Sequence, residues 1–174
     1  MTRFPAIAEQ DRDADQQRMA DKATHGGPFP VFQQAPLVWE ALQELRQCLA
    51  RSTTLSRAER EAAMLAIARH WRSSAGFAAH AKLARDAGLD DDLILSLAKG
   101  EASLAKADRR LQAIVAMVFA LLRTGQLTDS QFEAAQDALG KRGMVELVGL
   151  TGFFTTTCLA LNLGAIGDST VDFG

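Results

Sequence analysis

Apolar positions recur at helical spacing along most of the chain, and no segment alternates with the period of two that marks a strand. Residues 37–49 place Leu37, Ala41, Leu42, Leu45 and Leu49 on one predicted face, behind Pro36, which suits a first helical turn. Ser56 with Glu59 forms a capping-box pattern that opens a second helix running to about Trp71. A break at Arg72, Ser73 and Ser74 precedes a third, closed at Gly88. Asp90 caps a short helix that ends at Gly100. Over residues 106–123 the set Leu111, Ile114, Val115, Val118, Leu121 and Leu122 predicts another helix, stopped by Gly125. Thr128 with Gln131 repeats the capping box before a helix to Leu139, and residues 144–163 form the last. The prolines of the Gly26 to Pro30 turn argue against helix there. The expected fold is an all-α bundle with a central helix hairpin.

Length changes little in this picture: 174 residues fit one domain with a tail. Residues 1–26 read as a polar N-terminal arm and residues 27–174 as the helical domain. The arm lacks the apolar core of a secretory signal, so a cytoplasmic protein is expected. The net charge of -2 comes from scattered acids and bases, with no basic stripe for phosphates, so no nucleic-acid partner is expected. Residues 144–165 are long and apolar enough to be tested as a membrane span. Glu146, Thr155, Thr156, Thr157 and Asn162 make them a buried soluble helix instead, and no membrane partner is expected. Cys48 and Cys158 are far apart and outside any CxxC or zinc-ligand spacing, which excludes a disulfide scaffold and leaves no metal site to expect.

Acid/base candidates are few because there are only three histidines, of which His70 and His80 lie in the paired helices. Glu61 shares a face with Met64, Leu65 and Ala68, and His80 shares one with Phe77, Leu83 and Ala84. Both ionisable groups therefore point where apolar side chains point. Antiparallel packing of the two helices would bring them together, and a carboxylate bonded to an imidazole fixes its tautomer, as a proton relay requires. The alternative is structural: Glu61 caps or pairs with an arginine and His80 is a satisfied core histidine. His70 flanks the stripe, Trp71 reads as a core plug or a pocket wall, and Ser73 and Ser74 read as caps.

The stretch 61–88, EAAMLAIARHWRSSAGFAAHAKLARDAG, resembles the central motif of the carboxymuconolactone decarboxylase and alkylhydroperoxidase AhpD-like family, a Glu-led helix followed by a His-bearing helix ending in Ala-Gly. Gly27-Pro28-Phe29 with Ala35-Pro36-Leu37, and Glu146 through Gly152-Phe153 to Asn162, resemble its first and last core helices. The peroxidase branch carries a Cys-x-x-Cys whose positions here are Ser73 and Gly76, so the resemblance implies the cysteine-free, decarboxylase-like branch. Ala75, Gly76 and Phe77 replace the aromatic and acidic residues that several such relatives carry before the histidine. The pocket is thereby either opened for a larger substrate or stripped of the ancestral reaction.

The resemblance implies a cofactor-free lyase or isomerase on a carboxylated lactone or related unsaturated oxo acid, of the kind used in aromatic compound catabolism. The catalytic residues would be His80, delivering a proton, and Glu61, orienting it, with His70, Trp71 and Ser73 as substrate contacts. A non-catalytic, partner-binding oligomer on the same scaffold is the alternative, and an AhpD-like alkylhydroperoxidase comes last. A homo-oligomer is expected, because residues 106–123 and 144–163 are apolar around much of their circumference. The family implies a trimer or hexamer, with the arm laid across a neighbour or left mobile.

Overall fold

The computed structural model describes residues 2–22, 26–51, 54–101, 107–167 and 171–173. They form eight α-helices and no strand: α1 (Ala14–Lys22), α2 (Phe29–Phe32), α3 (Pro36–Arg51), α4 (Arg57–His70), α5 (Ser74–Asp86), α6 (Asp91–Lys99), α7 (Arg109–Thr124) and α8 (Asp129–Gly164). The caps follow local chemistry. Ser56 and Thr128 each close a full capping box, while Asp90 and Asp108 accept from the backbone amides of Leu93 and Leu111. Gly100 and Gly125 end their helices in the left-handed conformation. The last two expected helices form one element, bent at Gly140, whose φ of 66° and ψ of 165° leave the helical region.

Helix α4 is the axis of the fold. From Glu61 to Ala68 every residue is buried, because α5, α6, α7 and α8 pack around it. Four alanines in that run, Ala62, Ala63, Ala66 and Ala68, let the neighbouring helices approach on all sides. Helix α8 is long and apolar enough to cross a membrane by length and composition, but it packs along α2, α3, α4 and α7 and supplies Leu147, Leu150, Phe154 and Cys158 to the core.

Three expectations change. Pro30 does not exclude helix: it sits in the first turn of α2, where its missing N–H is not needed. The arm does not wait for a neighbour. Its α1 buries Met19 and Ala20 in a second small core with Phe29, Val31, Phe32 and Ala160, and the backbone of Ile7 donates to the fully buried Gln33. A polar segment can be held this way because two apolar residues one helical step apart find a cleft between α2, α3 and the end of α8.

The third change concerns α3. Leu37 and Leu45, expected inward, are 61% and 38% exposed, and the side facing the domain carries Trp39, Gln43, Arg46, Leu49 and Ala50. Leu42 and Leu49 of the expected stripe do pack against the cores, with Trp39 beside them, so the helix is rotated by part of a turn toward its Trp39 flank.

Candidate active site

The turn between α4 and α5 builds the site. Trp71 caps α4, and Arg72 takes a left-handed φ of 49°, a conformation that costs a residue with a Cβ about 1 kcal/mol. The amide of Ser73 then reaches back 2.9 Å to the carbonyl of Ala68, a Schellman-type closure that reverses the chain. Trp71 fastens this turn to α8: its Nε1 donates to Thr155 Oγ1 at 3.1 Å, and its carbonyl accepts from Asn162 Nδ2 at 2.8 Å. Helix α5 therefore runs back along α4 and brings His80 alongside Glu61.

The two side chains meet. His80 Nδ1 lies 2.7 Å from Glu61 Oε2, with side chains 20% and 9% exposed. With Nδ1–H donating to the carboxylate, Nε2 is left as the exchangeable position, and it has no hydrogen-bond partner among the described residues. Phe154 of α8 holds the ring edge-on, with centroids 4.5 Å apart. The imidazole is thus fixed by a carboxylate at one nitrogen and an aromatic ring against its plane.

Glu61 and His80 both line an open cavity of about 430 Å³. Its walls come from four helices and the segment before α2: Trp39, Gln43, Arg46, Leu49 and Ala50 of α3, Arg60 and Met64 of α4, and Leu150, Phe153, Phe154 and Thr157 of α8, with Gly26 and Pro28. The volume suits a small organic molecule, and the composition, apolar with a few polar groups, is typical of such sites. A larger hollow of about 730 Å³ beside α7 and α8 is lined by Arg109 and Arg110 among others, but Arg110 is occupied by Glu59, Thr54 and Ala138 and serves to tie helices together.

The other expected site residues lie elsewhere, and none lines the cavity. His70 is nine residues beyond Glu61, half a revolution around α4, so it projects from the opposite side. There its ring packs edge-on against Trp71, and burial, with Arg123 and Arg69 nearby, lowers its pKa. Trp71 is committed to Thr155. Ser73 is the N-cap residue of α5, fully buried and without a capping bond, and it sits roughly 10 Å along the helix from His80. Its Oγ is 3.1 Å from where a Cβ on Gly76 would stand, and Cys158 Sγ is 3.5 Å from the same point. His25 lies outside the described residues. Among the described residues no three His, Cys, Asp or Glu side chains gather as metal ligands would.

Sequence reasoning missed Arg46 and Arg60. A pattern search discards exposed arginines as solvated, and only the relative placement of α3 and α4 turns these two toward one cavity.

With this geometry in view, two solved structures decide the fold. An alkylhydroperoxidase AhpD core, an uncharacterized peroxidase-related protein from Ralstonia eutropha JMP134, superposes with a TM-score of 0.78 at 18% identity, over 99% of this chain and 94% of that one. The fold is AhpD-like. A second AhpD-like neighbour, an uncharacterized peroxidase-related protein from Silicibacter sp. TM1040, matches with a TM-score of 0.75 at 15% identity, over 98% of this chain and 92% of that one. No family model and no curated protein matches the sequence. The AhpD-like fold thus extends over the whole chain, arm included, while identities this low speak for architecture alone.

Proposed function

We propose that the protein is a lyase or isomerase that acts on a carboxylated lactone or related unsaturated oxo acid and transfers a proton through His80. The observation that supports this is the 2.7 Å contact of His80 Nδ1 with Glu61 at the edge of an apolar cavity, with Nε2 unpartnered. Loss of CO2 from the γ-carbon of a butenolide breaks one C–C bond and sends its electron pair through the C=C bond into the lactone carbonyl. The substrate supplies its own electron sink. Protonation of carbon by His80 Nε2 completes the reaction, and solvent returns the proton. Glu61 keeps Nδ1 protonated and the ring aimed, while the apolar walls contributed by Leu49, Met64, Leu150 and Phe153 favour loss of the carboxylate charge. The test is a screen of purified protein against muconolactones and unsaturated oxo acids by ultraviolet absorbance. Turnover abolished in His80→Ala supports the proposal, and turnover unchanged in that variant removes it.

The names of the two structural neighbours favour peroxide chemistry as a second reading. Against it, the positions of the thiol pair hold Ser73 and Gly76, Cys48 is exposed on α3, and burial pushes the Cys158 thiol up to about 12. A thiol that stays protonated is a poor nucleophile toward peroxide. A thiol-blocking reagent that abolishes turnover would favour this second reading.

We further propose that the chain is a homo-oligomer, a trimer or hexamer. Val145, Val148, Leu159 and Leu163 form an exposed stripe on α8, and Leu37 and Val38 stand exposed on α3.

A further inference from the structure

We infer that the cavity selects organic anions, and that Arg60 and Arg46 hold a substrate carboxylate while the apolar body of the molecule reaches toward His80. This rests on the proton-transfer reading for which end of the molecule reacts, but the charge selection is carried by separate observations.

The first is the orientation of α3. Leu37 and Val38 stand in solvent while Trp39, Leu42 and Leu49 pack toward the domain with Gln43 beside them, and this rotation places Arg46, an exposed residue, at the rim of the cavity. The second is the state of the two guanidinium groups. Arg46 Nε donates to Gln43 Oε1 at 2.8 Å and Arg60 Nη1 to the carbonyl of Leu55 at 2.9 Å, both neutral acceptors. Neither arginine has a carboxylate within ion-pair distance among the described residues, in contrast to Arg18, Arg85, Arg110 and Arg142. The third is the balance of charge in the lining. Among the described residues of the lining Glu61 is the only carboxylate and it faces His80, so two guanidinium cations stand against one carboxylate and the lining is net positive. Each retains N–H groups beyond the one already bonded, and a guanidinium fork matches a carboxylate.

The apolar part of the lining sets the rest of the ligand. Phe153, Leu150 and Met64 offer apolar surface, so the preferred molecule has a carboxylate at one end and a flat or unsaturated carbon skeleton at the other. A carboxylate held by arginines is stabilised in the ground state, so in a decarboxylation the group at Arg60 and Arg46 is one the substrate keeps.

Isothermal titration calorimetry of the full chain with benzoate and with benzamide, its neutral counterpart of the same shape, tests this. Benzoate should bind at least about tenfold more tightly than benzamide, because charge-assisted hydrogen bonds exceed neutral ones by that order. Arg60→Gln should remove most of the preference without changing benzamide binding. Arg46→Gln should reduce it by several-fold, and as Arg46 is exposed and its hydrogen bond is to Gln43 on its own helix, it serves as the variant that folds if Arg60→Gln does not. His80→Gln should leave the preference intact. Equal binding of the two probes, binding of neither at about 10 mM, or a preference unchanged in a folded Arg60→Gln or Arg46→Gln protein would overturn the inference. Turnover sensitive to His80 without charge preference would remove only the anion selection, and charge preference without turnover would remove only the proposed reaction.

Discussion

Cys158 Sγ stands 3.5 Å from the point where a side chain on Gly76 would begin. The thiol is fully buried, out of reach of a reagent, and the loss of solvent outweighs the hydrogen bond with Ser73 that favours its ionisation. Burial raises it from the usual 9.0 to about 12, whereas Cys48 is exposed on α3. A thiol-specific reagent near pH 8 should therefore label one cysteine per native chain and both after denaturation. The sign for stability follows. The folded state keeps the Cys158 proton where the unfolded chain loses it, so stability is unaffected below about pH 9 and falls as pH rises toward 12. Cys158→Ala should flatten that alkaline loss, read from denaturant midpoints across the range. Replacing both cysteines with serine should leave native turnover intact in a folded protein.

The Glu61 and His80 pair predicts unequal effects. His80→Ala should lower turnover by about two to four orders of magnitude, the range for loss of a general acid/base group. Glu61→Gln retains an oxygen that can accept from Nδ1–H and should cost less, about one to two orders. Steady-state rates on the substrate found by screening decide the order, and equal losses would show that Glu61 does more than orient the ring.

Two glycines on α8 should respond in opposite directions. A Cβ on Gly164 would stand 2.6 Å from Val31 Cγ2, so Gly164→Ala should lower stability by about 1–3 kcal/mol through overpacking. Nothing lies within 4 Å of a Cβ on Gly152, so Gly152→Ala should raise stability by about 0.5–1 kcal/mol through helix propensity. Urea midpoints measure both. A loss of stability in Gly152→Ala would show that another surface packs closely there.

The exposed stripe of Val145, Val148, Leu159 and Leu163 predicts self-association. Sedimentation at micromolar concentration should show a species several times the 18.8 kDa chain mass. Val148→Glu, which places a charge in the stripe without touching the core, should shift the distribution toward the single chain. A wild-type species at the chain mass, unchanged on concentrating, would sink the proposal.

What the sequence determined by itself was local. Ser56, Asp90 and Thr128 announce helix starts because each cap bonds an amide three residues away, and Gly100 and Gly125 announce stops because the left-handed turn favours them. Glu61 and His80 were legible because each interrupts an apolar face of its own helix, and the short α4 to α5 turn leaves the two faces little choice but to meet. His70 and Ser73 drew notice only for their residue types, and their angular positions carry them away from the cavity. Tertiary structure alone decided the orientation of α3. Periodicity marks one apolar stripe, but α3 has a further apolar residue in Trp39, and packing chose the rotation that half-buries Trp39, Leu42 and Leu49 and leaves Leu37 and Leu45 outside. Arg46 and Arg60 become neighbours of Leu150 and Phe154 through packing between segments far apart in the chain, and no local rule encodes that juxtaposition.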